Sequence, residues 1–355
     1  MNRESISEYF SISRARASAS TSFPFLIGIL LSSPSLASIA VVIAWSTIFH
    51  YYICQLNNLA DLDSDRNNPT RRPTPLTTGR VSPAHVRYWI FLELFVLMFI
   101  GILALNSIWA KVGLLALVWT VTYGNVYQKS SPRISPIVMD FLYGFAMGIP
   151  VLIIGAEFGD LEDGRYWILS LSVGLNFTIL NMFAGNMKDL EWDLNSSCQT
   201  TAIALGVRPL SSTVGIQLTW GYRVLLSLTQ LALSIVTVAA MQSELRVSSE
   251  INMILSFFAV LSTVGGLTDV LHKMRSGILL PPRGAQSGHT FRVYLIRPAH
   301  AFLNLASVCA LVGALSPSPL FSVSILMTLL VGTFLLIAVG RRSAVEDNSP
   351  ERRRI

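Results

Sequence analysis

Two acid-rich stretches hold the residues of this chain whose types and spacing could do chemistry. The first reads Asn57-Asn58-Leu59-Ala60-Asp61-Leu62-Asp63-Ser64-Asp65, the second Asn186-Met187-Lys188-Asp189-Leu190-Glu191-Trp192-Asp193. Residues four apart share a helix face. Asn57, Asp61 and Asp65 therefore form one oxygen-bearing stripe, and Asp189 and Asp193 another. Like charges this close repel unless a cation holds them together. Hard oxygen ligands, one or two carboxylates per ion and room left for phosphate describe a Mg2+ site for a phosphorylated substrate. In a chain otherwise suited to a membrane, two such sites point to an enzyme acting on a lipid diphosphate.

The loop after Asp65 supports that chemistry. It runs Arg66-Asn67-Asn68-Pro69-Thr70-Arg71-Arg72-Pro73-Thr74-Pro75-Leu76-Thr77-Thr78-Gly79-Arg80, stiffened by prolines and rich in arginine. Guanidinium groups offer bidentate contacts to phosphate. Fixed cations lower a barrier most where negative charge develops, here on the oxygens of a departing diphosphate. Arg66, Arg80 and Arg87 serve equally well as topology signals. Acids this near a bilayer are normally functional.

The elements that must position these residues are membrane helices. Of the 355 residues, 52% are hydrophobic and only 13% charged, about half the share of a soluble domain. A crossing needs about 20 apolar residues, which gives spans near 12–33, 35–59, 83–107, 109–127, 135–156, 165–186, 212–241, 250–271, 296–315 and 320–340. Pro24, Pro34, Pro136 and Pro150 kink or flank spans. The N-terminus does not read as a cleavable signal. Cys54, Cys198 and Cys309 show no metal or disulfide spacing and read as packing residues.

Charge sets the orientation. With ten spans, 22 of the 26 lysines and arginines fall on one side. The other side holds Lys111, Arg165, Arg246 and an acidic loop from Glu157 to Asp163. Both termini and both acid clusters are thus expected in the cytoplasm. The net charge of +6 reflects topology and not nucleic-acid binding. The clusters follow the second and sixth spans, which suggests a duplicated four-helix plan.

Asn57 to Gly79 resembles the first signature of the UbiA-type intramembrane prenyltransferases, an Asn-Asp-x-x-Asp-x-x-x-Asp run followed by an Arg-Pro-Leu-type loop and Gly. Asn186 to Asp193 resembles the second, Asp-x-x-x-Asp. The resemblance implies an all-α bundle of nine or ten transmembrane helices around a central cavity, one domain over 1–345 with a disordered basic tail at 346–355. It implies two Mg2+ ions, one on Asn57, Asp61 and Asp65 and one on Asp189 and Asp193. It implies phosphate contacts from Lys188 and Arg72, and prenyl transfer from an allylic diphosphate to a lipophilic or aromatic acceptor. No protein partner is inferred. This chain departs from the pattern at Asn58, where the family has Asp, at Thr74, where it has Arg, and at Trp192, where it has Gly. Arg71 or Arg72 could stand in for the absent arginine. Trp192 could narrow the acceptor pocket.

Polar residues within spans complete the candidate set. Asp140 reads as a base, a substrate contact or a partner of Arg223. Asn58, Asn181 and Tyr143 are candidate substrate contacts, and Tyr51, Tyr143, Trp192 and Asp140 could steady an allylic cation. An interfacial aromatic belt accounts for two of Tyr51, Tyr52 and Tyr143, and His300 reads as packed or interfacial. Two other readings stand beside prenyl transfer. A membrane terpene cyclase would use the same ionisation with no acceptor. A divalent-cation transporter fits less well, because its site would lie near the midplane and not at span ends beside arginines.

Overall fold

The chain is described by a computed structural model over residues 3–15, 18–32, 34–67, 74–127, 134–195, 198–210, 215–244, 250–280 and 299–326. Its helices are α1 (Arg3–Ile12), α2 (Ser18–Leu30), α3 (Leu36–Ala60), α4 (Leu62–Asn67), α5 (Pro83–Ala104), α6 (Ile108–Thr122), α7 (Pro136–Ala146), α8 (Ile149–Phe158) and α9 (Gly164–Leu180). After them come α10 (Asn186–Lys188), α11 (Leu190–Asn195), α12 (Thr201–Ala204), α13 (Trp220–Glu244), α14 (Glu250–Arg275) and α15 (Ala299–Leu315). Helices α6 and α9 each run on into one π-helical turn, Tyr123–Tyr127 and Asn181–Gly185.

Local sequence sets the ends of the long helices. Ser35, Ser82, Ser107 and Asp163 cap α3, α5, α6 and α9 with side-chain oxygens on backbone N–H groups, the donors a first turn leaves without partners. Six segments are long and apolar enough to cross a membrane: Leu36–Ala60, Pro83–Ala104, Pro136–Phe158, Gly164–Gly185, Trp220–Gln242 and Glu250–Arg275. Thr21–Leu30 and Ala299–Leu315 are shorter apolar helices. The crossing Pro136–Phe158 contains the break between α7 and α8 at Met147-Gly148, so Pro150 bends the path without ending it. Most of the expected tenth span lies outside the described residues, as do the tail 346–355 and the loops holding Arg71, Arg72, Lys129 and Arg133.

The bundle closes as a ring. Helix α3 packs on α2 and α5, α2 on α8, α8 on α6, α9 on α7, α8, α13 and α15, and α14 on both α13 and α15. One apolar core fills the N-terminal half and reaches α15; a second gathers Met182, Phe183, Met187, Leu190, Tyr222, Val270 and Met274 behind the second acid cluster. Where α13 meets α15, Gln230 and Asn304 exchange two hydrogen bonds of 2.8 Å, which satisfies both buried amides.

Two parts differ from the sequence expectation. The first span is not one helix: the chain turns at Ser13 to Ala15, and Arg14 takes φ 50. The start of the seventh is not helix either. Residues Ile216–Gln217 form β2, paired antiparallel with β1 (Arg208–Pro209) and β3 (Ile278–Leu279). Two-residue strands are too short for alternation to reveal.

Close packing of α7 on α9 depends on Gly144. A Cβ there would lie 1.9 Å from Thr178 Oγ1 and 2.8 Å from the Gly174 carbonyl oxygen. Gly144→Ala should cost about 1–3 kcal/mol through overpacking, read as a lower thermal midpoint of the purified protein. An unchanged midpoint would mean the two helices are not held this closely.

Candidate functional site

Each acid cluster is built on a kink of the same design. Asp61 ends α3 with φ −89 and ψ 3, and Asp189 ends α10 with φ −114 and ψ 10. Beyond each kink a six-residue helix begins, α4 and α11. Helical hydrogen bonds carry across both: Asp65 N to Asp61 O at 2.7 Å and Asp193 N to Asp189 O at 2.8 Å. The i, i+4 register of the acids therefore survives the bend, and the stripes expected from spacing exist. Leu62 and Leu190 occupy matching positions and are both buried, so each short helix is anchored by its first residue.

The clusters meet. Trp192 Nε1 donates to Ser64 Oγ at 3.0 Å, across 128 residues of sequence. The same interval separates Asp61 from Asp189 and Asp65 from Asp193, so the residues in contact hold equivalent positions in the two motifs.

Further side chains line the approach to the first stripe. Asn57 Nδ2 donates to Asp61 Oδ2 at 3.1 Å, which turns the amide donor toward the acid. Asn58 bonds to the N-terminal segment. Its Oδ1 accepts from Arg14 Nη2 and its Nδ2 donates to the Ile12 carbonyl, both at 2.6 Å. Asn58 thus uses both ends of its amide to fasten the turn after α1.

That turn was not legible as part of the site. His50 Nε2 donates to the Arg14 carbonyl at 3.1 Å while its Nδ1 accepts from Thr21 at 2.9 Å. Gln55 Nε2 donates to Ser13 Oγ at 2.7 Å and to Glu93 Oε1 at 2.8 Å, and Tyr9 donates to that same carboxylate oxygen at 2.6 Å. Through Asn58 and His50, both on α3, Arg14 is tied to the helix that carries the first acid stripe. Composition marked Arg14 as a topology signal; only the fold shows its second position.

Asp140 on α7 is buried and accepts from Asn181 Nδ2 at 2.6 Å and Asn186 Nδ2 at 2.7 Å. It is therefore the brace of the π-turn that leads into Asp189. Arg223 is not its partner. Arg223 Nη2 donates to the Arg275 carbonyl at 3.1 Å and its guanidinium lies 5.6 Å from the Trp220 ring centroid. Of the tyrosines, Tyr52 is buried and donates to Thr122 at 2.6 Å, while half-buried Tyr51 meets Tyr9 edge-on at 5.7 Å. Thr74, at the place of the family arginine, closes the loop turn by accepting from Thr77 N at 3.2 Å. Arg71 and Arg72 lie outside the described residues, as does the side chain of Lys188.

His300 is packed, as expected. It is fully buried, donates from Nδ1 to Asp269 Oδ2 at 2.9 Å and meets Phe183 edge-on at 4.7 Å; Lys273 pairs with the same carboxylate oxygen. A cavity of about 460 Å³ opens nearby, lined by Lys273, His272, Arg275 and β3. None of its lining residues belongs to an acid motif, so it is not the site of the acid chemistry.

The model of the UbiA prenyltransferase family matches residues 21–247, a stretch that contains both kinked acid motifs. The chain belongs to the UbiA prenyltransferase family. It is accordingly a membrane prenyltransferase. Among UbiA relatives, 4-hydroxybenzoate octaprenyltransferase of Francisella tularensis subsp. novicida (strain U112) is 22% identical over 212 residues, 58% of this chain and 72% of that protein. The UbiA fold is shared with a structure of digeranylgeranylglyceryl phosphate synthase at TM-score 0.62 and 16% identity, covering 88% of this chain and 99% of that one. It is shared also with a UbiA homologue of Archaeoglobus fulgidus bound to DMAPP and Mg2+, at TM-score 0.59 and 14% identity, over 86% and 99% of the two chains.

Proposed function

We propose that this UbiA-family chain ionises an allylic isoprenoid diphosphate between its two acid motifs and transfers the prenyl group to a lipophilic or aromatic acceptor. The observation that carries this reading is the meeting of two identically kinked acid helices at Ser64 and Trp192. It makes one site of two sequences 128 residues apart.

The donor set fits a hard divalent cation. Among the described residues no three His, Cys, Asp or Glu side chains converge on a point, so no all-protein cage is formed. Two carboxylates per motif, with an amide oxygen at Asn57, match an ion whose shell is completed by substrate phosphate. Asn57, Asp61 and Asp65 would hold one Mg2+, and Asp189 and Asp193 a second. When bound, the ions would neutralise charge on the departing diphosphate.

The rest is done by the chain itself. Asp61 and Asp189 sit at the two kinks, where each acid helix begins. Asp140, by bracing Asn181 and Asn186, holds the turn that presents Asp189. Arg71, Arg72 and Lys188 are assigned to phosphate oxygens, and Tyr143 to the space where the prenyl group departs. The motifs and termini are assigned to the cytoplasmic side on the distribution of lysine and arginine.

Incubating the purified protein with geranyl, farnesyl and geranylgeranyl diphosphates, with and without a panel of acceptors, tests this. Diphosphate release that needs Mg2+ and yields an adduct with an acceptor is expected. Hydrocarbon formed without acceptor would make the chain a cyclase, and no release from any of the three would sink the reading. Within the basic loop, Arg72→Ala should cost about 1.5–3 kcal/mol of transition-state stabilisation, as for a charge-assisted contact. Arg87→Ala should change little. Equal effects in kcat/KM would reduce the loop to a topology signal.

A further inference from the structure

Both acid helices are short bodies attached through a bend. Helices α4 and α11 have six residues each, and each follows a residue whose ψ is near zero. A short helix on such a joint is free to swing unless something beyond the joint holds it. On α11 that support includes β1 and α12. Between the two helices, Trp192 Nε1 reaches Ser64 Oγ at 3.0 Å, and both residues are half-buried. Ser64 immediately precedes Asp65 and Trp192 immediately precedes Asp193. The bond therefore spans the gap between the two stripes at their outer ends, with an indole, the largest side chain, in the place where the family signature has glycine.

We propose that the Trp192–Ser64 pair is a clasp that closes the water-facing mouth of the site and makes the acceptor, not water, the partner of the prenyl fragment. The inference rests on the prenyl-transfer reading. When the allylic carbon–oxygen bond breaks, the electron pair leaves with the diphosphate and the carbon is open to any nucleophile. Attack by water forms a carbon–oxygen bond, releases a proton to solvent and gives the prenyl alcohol. Attack by the acceptor gives the transfer product. A dry site suppresses the first course. The clasp performs this with one hydrogen bond and one ring, two contributions that substitution can separate.

The test measures prenyl alcohol formed per diphosphate released from farnesyl diphosphate with Mg2+, in the full chain. Trp192→Phe removes the N–H and keeps a ring; Ser64→Ala removes the acceptor. Each should raise the alcohol fraction roughly fivefold, the worth of one hydrogen bond. The double variant should resemble either single one, because both break the same bond. Trp192→Gly should exceed them all. A second measurement does not need turnover: with Cys54, Cys198 and Cys309 replaced by alanine, Ser64→Cys and Trp192→Cys together should be joined by a short bifunctional thiol reagent. An alcohol fraction unchanged in every variant while diphosphate is still released overturns the clasp, as does failure to cross-link in a folded protein. No diphosphate release by the unaltered chain overturns the prenyl-transfer reading itself, and the clasp's role with it, a result distinct from an unchanged fraction.

Discussion

Asp61→Ala and Asp189→Ala should each lower the rate of diphosphate release by about 10²–10³-fold, the usual cost of losing one preorganised charge-stabilising group. Both residues occupy the bend between two helices, so each carboxylate sits where its short acid helix begins. Removing either carboxylate leaves the opposite motif intact but takes away one of the two stripe carboxylates of its own motif. Asp63 supplies an internal comparison. It lies between Asp61 and Asp65 in sequence but off their stripe, and it is exposed, so Asp63→Ala should lose far less. Circular dichroism melts should be alike for the variants, since the acids are not core residues. The decisive measurement is the initial rate of diphosphate release against Mg2+ concentration. Full turnover in both alanine variants, or in the unaltered protein under complete chelation, would remove these acids from the chemistry.

The second large effect is expected at Asp140, and in stability as well as turnover. Its two oxygens each accept one amide N–H, from Asn181 and from Asn186. Asp140→Ala leaves the buried Asn186 amide and the half-buried Asn181 amide without their acceptor, at roughly 1–3 kcal/mol each, or roughly 2–6 kcal/mol in all. The π-turn Asn181–Gly185 would lose its brace, and Asp189 would lose its position with it. Asp140→Asn should cost less than half as much, because one amide oxygen remains and the other asparagine can turn its own oxygen inward. Thermal midpoints and rates measured together decide the matter. Equal losses for the alanine and asparagine variants would show that Asp140 acts through its charge on the substrate and not as a brace.

The acid stripes, their helical register and most long helices were readable because each depends on local spacing. Asp61 and Asp65 sit four apart whatever surrounds them, and a run such as Glu250–Arg275 is apolar enough to announce itself. What escaped was everything that long-range contact decides. Asn58 reads as a departure from the family's Asp and a substrate contact, and nothing in the letters says that it fastens the turn at Arg14. Asp140 reads from sequence as a base, a substrate contact or a partner of Arg223, and only the fold brings Asn181 and Asn186 to its two oxygens. Trp192 stood out only as an oversized substitute for glycine, since nothing in the letters says that Ser64 faces it. Strands of two residues carry no period at all.

The attachment of α1 has a consequence for the order in which the protein can assemble. What this helix rests on is made after it. Ser13 waits for Gln55, Ile12 for Asn58 and Tyr9 for Glu93, separations of 42, 46 and 84 residues. Until α3 and α5 are in place, α1 has no bundle to dock on, and its outward Ile6 and Phe10 suit a stay at the lipid surface. Its docking thus waits for segments made after it. Asn58, beside the first acid stripe, reaches its final contacts only when α1 arrives.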